Sequence, residues 1–132
     1  MKYIYPVLFT KEDDSYLIHF PDFPNIFSEG DSLADAMDMA EDALNLWLWN
    51  AEDSGDAIPA PSDPATLEIP SGAIVSLVKA DTLKYRQLHD TQAIKKTLTI
   101  PRWLDTLAKK HNVNFSNILQ NALMNELNVH KA

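Results

Sequence analysis

The feature that most narrows the possible folds is one stretch, residues 20–49. It opens Phe20-Pro21-Asp22-Phe23-Pro24-Asn25, passes through Gly30-Asp31-Ser32 and runs on as a long amphipathic pattern ending Leu46-Trp47-Leu48-Trp49. Two prolines three apart force the chain out of a preceding strand through a fixed bend, in which Asn25 is expected to supply a positive φ. Ser32 stands where its hydroxyl can accept from the free amides of a helix start, with Asp35 at the spacing of a capping box. Leu33, Ala36, Met37, Ala40, Ala43, Leu44, Trp47 and Leu48 then recur at three- and four-residue steps, opposite a face marked by Asp35, Asp38 and Asp42. Leu46 and Trp49 break the pattern: at about 100° per residue they project beside Asp35 and Asp42. Their cover is either the segment 57–64 folded back over them or the surface of a partner. A helix with one wide apolar face requires a sheet beneath it.

The flanking residues supply that sheet. Tyr3, Tyr5, Val7 and Phe9 share one parity and predict a strand over 3–9, with Pro6 marking an edge or a bulge because it cannot donate to a ladder. Residues 11–15 read as a hairpin loop, Tyr16, Ile18 and Phe20 as a second strand, and residues 26–29 as a short third one. Glu12, Asp13 and Asp14 lack the ligand spacing of a calcium loop and read as a solvated turn. Residues 53–72 hold four of the eight prolines and show no period, so they form a stiff connection. The β-branched run 73–78 predicts a returning strand, expected to lie parallel to an earlier one by the handedness rule for crossover units. The order β-β-β-α-β is that of an α+β layer pair, and residues 81–93 read as a short helix or linker.

Charge divides the chain. Residues 1–92 carry five Lys/Arg against seventeen Asp/Glu, net −12, whereas residues 93–132 carry six against two, net +4. An acidic surface repels nucleic acid and attracts basic proteins; a basic patch does the reverse. With no cysteine, disulfides and thiolate metal sites are excluded. The apolar start is interrupted by Pro6 and too short for a signal segment, and no apolar run approaches membrane-spanning length, so a cytoplasmic protein without membrane contact is expected.

In the tail, Ile94, Leu98 and Ile100 share one parity and Lys95, Thr97 and Thr99 the other. A short strand would bury the first set and present the second, with Lys96 the exception on the buried side. Pro101 suits a first helical turn, followed by Trp103, Leu104, Leu107 and Ala108 on one face. Asn112 is placed to end that helix in the left-handed conformation, and a second helix follows from Asn114 with Ile118, Leu119, Ala122, Leu123 and Leu127 as its stripe. Strand, helix and helix in about forty residues cannot build a core alone, so a homodimer is expected, with the number of dimers in the assembly open.

Tyr5-Pro6, the Phe20-Pro21-Asp22-Phe23-Pro24 bend, Glu29-Gly30-Asp31-Ser32, the alanines at 36, 40 and 43, and Ile58-Pro59-Ala60-Pro61-Ser62 together resemble the HicB antitoxin family, with Asn25 where such proteins commonly have Gly. The resemblance covers residues 3 to about 79. It implies a partial RNase H-like fold without a working nuclease site, in a domain over 1–80, and a partner called HicA, a small basic ribonuclease toxin. The tail, 94–132 beyond a linker or short helix at 81–93, resembles the ribbon-helix-helix family, whose paired strands enter the major groove. Carried over by position, Lys95, Thr97 and Thr99 would face bases of operator DNA. The helix start at Asn114, Phe115 and Ser116 would hold a phosphate through backbone amides, with Phe115 where an Arg often stands. Leu46 and Trp49 are the candidates for toxin contact.

The resulting expectation is a non-enzymatic antitoxin that represses its own operon, with no cofactor, no catalytic residue and no metal site. Two other classes compete with it. One is an RNase H-like metal-dependent nuclease using Asp13, Asp22 and Asp31, whose acidic body would repel its substrate unless metal offset the charge. The other is a ligand-responsive ribbon-helix-helix repressor binding metal at His19, His89, His111 or His130, no two of which have helical ligand spacing. A third possibility limits residues 94–127 to dimerisation.

Overall fold

The computed structural model describes residues 1–131. In chain order the elements are β1 (Lys2–Glu12), β2 (Ser15–His19), β3 (Phe27–Gly30), α1 (Leu33–Ser54), β4 (Ala73–Asp81), α2 (Thr82–His89), α3 (Arg102–Lys110) and α4 (Phe115–Glu126). They fall into two units, residues 1–89 and the residues from Asp90 onward.

The first unit is one antiparallel sheet, ordered β3-β2-β1-β4, with α1 packed on one face. β1 and β2 pair down to Glu12 opposite Ser15, so the hairpin turns on Asp13-Asp14 alone, with Asp13 at φ 54°. This is tighter than a loop over 11–15, because an Asp tolerates the left-handed conformation that a short turn needs. The bend after β2 is two successive turns: Phe23 N donates to the Phe20 carbonyl at 3.0 Å, and Ile26 N to the Phe23 carbonyl at 3.0 Å. Pro21 and Pro24 each take the second position, where their fixed φ is already correct. Asn25 therefore does not adopt the positive φ expected of it; among the described residues only Asp13, Asn112 and Asn128 do so without being glycine.

Two further strand expectations are corrected. β1 is an interior strand, not an edge, yet Pro6 is accommodated because the β2 ladder covers only Leu8–Glu12 and Pro6 is paired on one side alone, opposite Leu77. β4 pairs with β1 antiparallel, and every ladder among the described residues is antiparallel. α1 starts beside Gly30 and ends with Glu52 at Tyr3, while β4 begins opposite Thr10 at the far end of β1. The proline-rich residues 55–72 thus carry the chain back along the sheet, about 24 Å at a strand's rise per residue, and reverse the direction a crossover helix alone would impose.

Tyr5, Val7, Phe9, Ile18, Phe20 and Phe23 form the core with Val78 and Ala80 of β4 and with Ala36, Ala40, Leu44 and Leu48 of α1. The alanines let the helix lie close; a Cβ built on Gly30 would stand 2.4 Å from the Ala36 amide nitrogen. Ser32 caps α1, its hydroxyl accepting from Asp35 N at 3.0 Å, and the Asp35 carboxylate reaches back to Asp31 N at 2.9 Å. Leu33, counted with the core stripe, is 45% exposed at the first helical position. The helix also runs past Trp49 to Ser54, where Gly55 at φ 76° ends it.

In the second unit, α3 ends as the sequence indicates. Asn112 sits at φ 52°, its amide donating to Lys109 O and that of Val113 to Ala108 O, both at 3.2 Å. Asn128 closes α4 in the same way, with Val129 N donating to Met124 O at 2.8 Å. The strand expected over 94–100 is not formed in the single chain: residues 90–101 are in neither helix nor strand. A strand is defined by its ladder, and within this unit no neighbouring segment supplies one.

Candidate partner and nucleic-acid surfaces

α1 carries six carboxylates and no lysine or arginine. Asp35, Asp38, Met39, Asp42, Leu46, Trp49 and Asp53 share its outer face, a strip about 100° wide opposite the core stripe. On that strip Met39 and Leu46 are 42% and 45% exposed among the carboxylates.

Trp49 and Asp53, at the strip's C-terminal end, and Asp42 are covered, and the cover is α2, neither the segment 57–64 nor a partner surface, the two alternatives for Leu46 and Trp49. Tyr85 donates its hydroxyl to Asp42 at 3.0 Å and sets its ring edge-on to Trp49 at 5.8 Å. The Arg86 guanidinium lies 5.4 Å from the centre of the Trp49 ring and reaches Glu52 at 3.1 Å and Asp53 at 2.8 Å. The His89 ring lies against that of Tyr85, tilted by 36° with centroids 4.1 Å apart. The proline-rich segment is tied elsewhere: Tyr5 donates to the Pro59 carbonyl at 2.6 Å, and both oxygens of Asp22 accept from Ser62, from N at 3.0 Å and from Oγ at 2.5 Å. Asp22, one of the carboxylates a nuclease would use, thus serves as a loop clamp. No three potential metal-ligating side chains converge among the described residues.

Glu52 is the hub beneath α2. It accepts from the Tyr3 hydroxyl at 2.8 Å, from Thr82 Oγ1 at 3.0 Å and from Arg86, while the N-terminal ammonium donates to Thr82 Oγ1 at 3.0 Å. Burial by itself would raise the Glu52 carboxyl, but the hydrogen bonds from Tyr3, Thr82 and Arg86 outweigh it and hold the group below its ordinary value. Burial, with Glu52 alongside, pushes the Tyr3 phenol up to about 12. Tyr85 is raised by burial and by Asp42. Sequence reasoning missed Glu52, Tyr85 and Arg86 as a group; the available signal was an acidic helix end with no cation of its own and an Arg beside a Tyr soon after the last strand.

In the second unit Lys95, Thr97 and Thr99 are all exposed. Asn114 caps α4, its side-chain oxygen accepting from Asn117 N at 3.0 Å; Ser116 Oγ accepts from Gln120 Nε2 at 3.1 Å, and Phe115 is 44% exposed. Neither helix has a buried residue. Ile94, Trp103, Ile118 and Leu127 are 83%, 68%, 55% and 68% exposed, leaving the apolar stripes of both helices open.

Known proteins show the same architecture. A family model described as a HicB-like antitoxin of bacterial toxin–antitoxin systems matches residues 5–123. Antitoxin HicB 2 of Photorhabdus laumondii is 26% identical over 122 residues, 90% of this chain and 87% of its own. A protein of the rep–hol intergenic region of Haemophilus phage HP1 is 32% identical over 56 residues, so the match spans 42% of each. Among solved structures, a toxin–antitoxin complex from Streptococcus pneumoniae contains a chain that superposes with a TM-score of 0.63 at 29% identity, over 96% of this chain and 99% of that one. A HicA3–HicB3 toxin–antitoxin complex contains another, with a TM-score of 0.51 at 28% identity over 60% of this chain and 99% of that one.

Proposed function

The chain belongs to the HicB-like antitoxin family of bacterial toxin–antitoxin systems, and from that premise we propose that its first unit sequesters a HicA-type toxin while its second pairs with another copy to bind operator DNA. It is an antitoxin, not an enzyme. The toxin half of the proposal is supported by the solved relatives, which are toxin–antitoxin complexes, and by the acidity of the first unit.

One observation carries the DNA half. Two helices with open apolar stripes follow an unpaired segment whose side chains alternate apolar with Lys95, Thr97 and Thr99. Pairing two such segments antiparallel would satisfy their backbone groups, bury Leu98 and Ile100 against the helices of both copies and turn the lysine and threonines outward as a ribbon. A two-stranded ribbon of that width enters a DNA major groove, where hydroxyls and a lysine reach base edges. The partial RNase H-like description of the first unit and the ribbon-helix-helix description of the second belong to this reading.

Two measurements test it. Co-expression with the small protein encoded by the adjacent gene should yield a stable complex. Fluorescence anisotropy of the full-length protein on its own promoter DNA should show sequence preference across a salt series. Absence of the complex refutes the toxin half; affinity equal for promoter and scrambled DNA at every salt refutes the ribbon and leaves the tail a dimerisation module.

A further inference from the structure

We propose that the toxin docks on the outer face of α1 between Asp35 and Leu46, and that it presents there a cationic segment carrying an aromatic or aliphatic side chain. The inference deepens the antitoxin reading and rests on it. α2 shows what this face accepts, because it already occupies the other end of the same strip. An aromatic hydroxyl is held by Asp42, and an arginine is held by Glu52 and Asp53 over the ring of Trp49. The open end continues that interface with the same chemistry. Asp38 shares this strip with Met39 and Leu46, which are two turns apart and remain 42% and 45% exposed, and among the described residues no hydrogen bond or ion pair engages the Asp38 carboxylate.

Charge selects among the occupants. Two copies of this face laid against each other would oppose carboxylate to carboxylate, since α1 supplies no cation, so a second copy of the chain is disfavoured. A cationic partner gains from the same arrangement, and its apolar residue would meet Met39 or Leu46, which line one edge of the acidic strip. The competing surface is the face of the sheet turned away from α1, where Leu17, Phe27 and Leu77 are 41%, 87% and 56% exposed, but there the carboxylates Glu12, Glu29 and Asp81 share the face with Lys2 and Lys79.

The test is titration calorimetry of the full-length protein against the purified toxin from the adjacent gene. Asp38→Lys and Leu46→Glu change the α1 face, and Leu77→Glu changes the far face of the sheet. Asp35 is left intact because it closes the helix cap. The expected result is a loss of about tenfold in affinity for either α1 variant, more for the pair, and no change for Leu77→Glu, with wild-type affinity falling as salt rises. Asp38→Asn and Leu46→Gln, which perturb the helix less, should weaken binding in the same order. Wild-type affinity in all the α1 variants, or loss confined to Leu77→Glu, overturns the assignment while leaving the antitoxin reading intact. Failure of the wild type to bind the toxin at all overturns both.

Discussion

One added methyl group tests how closely α1 is pressed onto the sheet, and with it the placement of the whole acidic strip. In Gly30→Ala the new Cβ would lie 2.4 Å from Ala36 N, 2.5 Å from Ala36 Cα and 2.9 Å from Ala36 Cβ. Two of these three atoms are backbone, so no rotamer change relieves the clash. Gly30 is not in the left-handed region, and the whole cost is therefore contact. Restoring ordinary contact distances requires the start of α1 to withdraw by about 1 Å, which opens Ala36 and Ala40 from the strands and strains the Ser32 cap. Overpacking costs about 1–3 kcal/mol and a weakened cap adds about 1 kcal/mol, giving about 2–4 kcal/mol together. A unit of this length is stable by about 4–13 kcal/mol, so the substitution removes a large share of the total. Urea denaturation followed by tryptophan fluorescence should show the midpoint falling by about 2 M with little change in slope. Adding Ala36→Gly should not rescue it, because the nearest obstruction is the backbone nitrogen. A single variant within about 0.5 kcal/mol of wild type, or full rescue by the second glycine, would refute the close approach.

Three other outcomes are expected. Trp49→Ala removes the ring under Tyr85 and Arg86 and should release α2, costing about 1–2 kcal/mol by chemical denaturation, and Arg86→Ala in the Trp49→Ala background should add less than it does alone. The Glu52 carboxyl is held low by its partners, so it contributes stability above the ordinary carboxylate range that is lost as pH falls through its folded value; Tyr3, raised to about 12, contributes stability below pH 10 that is lost as pH rises toward 12. Glu52→Gln should therefore flatten the acid limb of a stability–pH curve and Tyr3→Phe the alkaline limb, and unchanged limbs would count against the hub. On promoter DNA, Thr97→Ala or Thr99→Ala should cost about 1–3 kcal/mol per lost base contact and relax sequence preference, whereas Lys110→Ala should weaken all sequences alike and reduce the salt slope by about one unit per chain, both read by anisotropy.

The first unit was legible wherever one residue's chemistry acts locally. Ser32 with Asp35, the parity of Tyr5, Val7 and Phe9, and the alanine spacing of α1 all specify what the structure shows. Expectations failed where the outcome depended on a distant segment. The direction of β4 is decided by where the proline-rich return reaches the sheet, and nothing within residues 73–78 encodes that. Asn25 was assigned a left-handed conformation on residue type, but two prolines at second turn positions already complete the bend without it. Leu46 and Trp49 were correctly separated from the core stripe as a pair, yet their environments differ because α2, from a separate stretch of sequence, reaches one and not the other.

The tail poses the reverse case, in which the sequence pattern is clearer than the single chain. An alternating segment has no reason to sort its side chains when neither face is buried, and residues 94–100 are exposed on both parities. Alternation is meaningful only for a strand that has one covered face, and among the described residues of this unit the apolar cover available is the pair of open stripes on α3 and α4. Those stripes are too small to enclose a core between themselves: neither helix buries a residue, although both end in well-formed caps. The C-terminal helix caps are thus complete while packing is not, and under the proposed reading the missing half of this unit is a second copy of itself. Under the proposed reading the same symmetry that completes the core also doubles the outward set of Lys95, Thr97 and Thr99, so dimerisation and the recognition surface arise from one event.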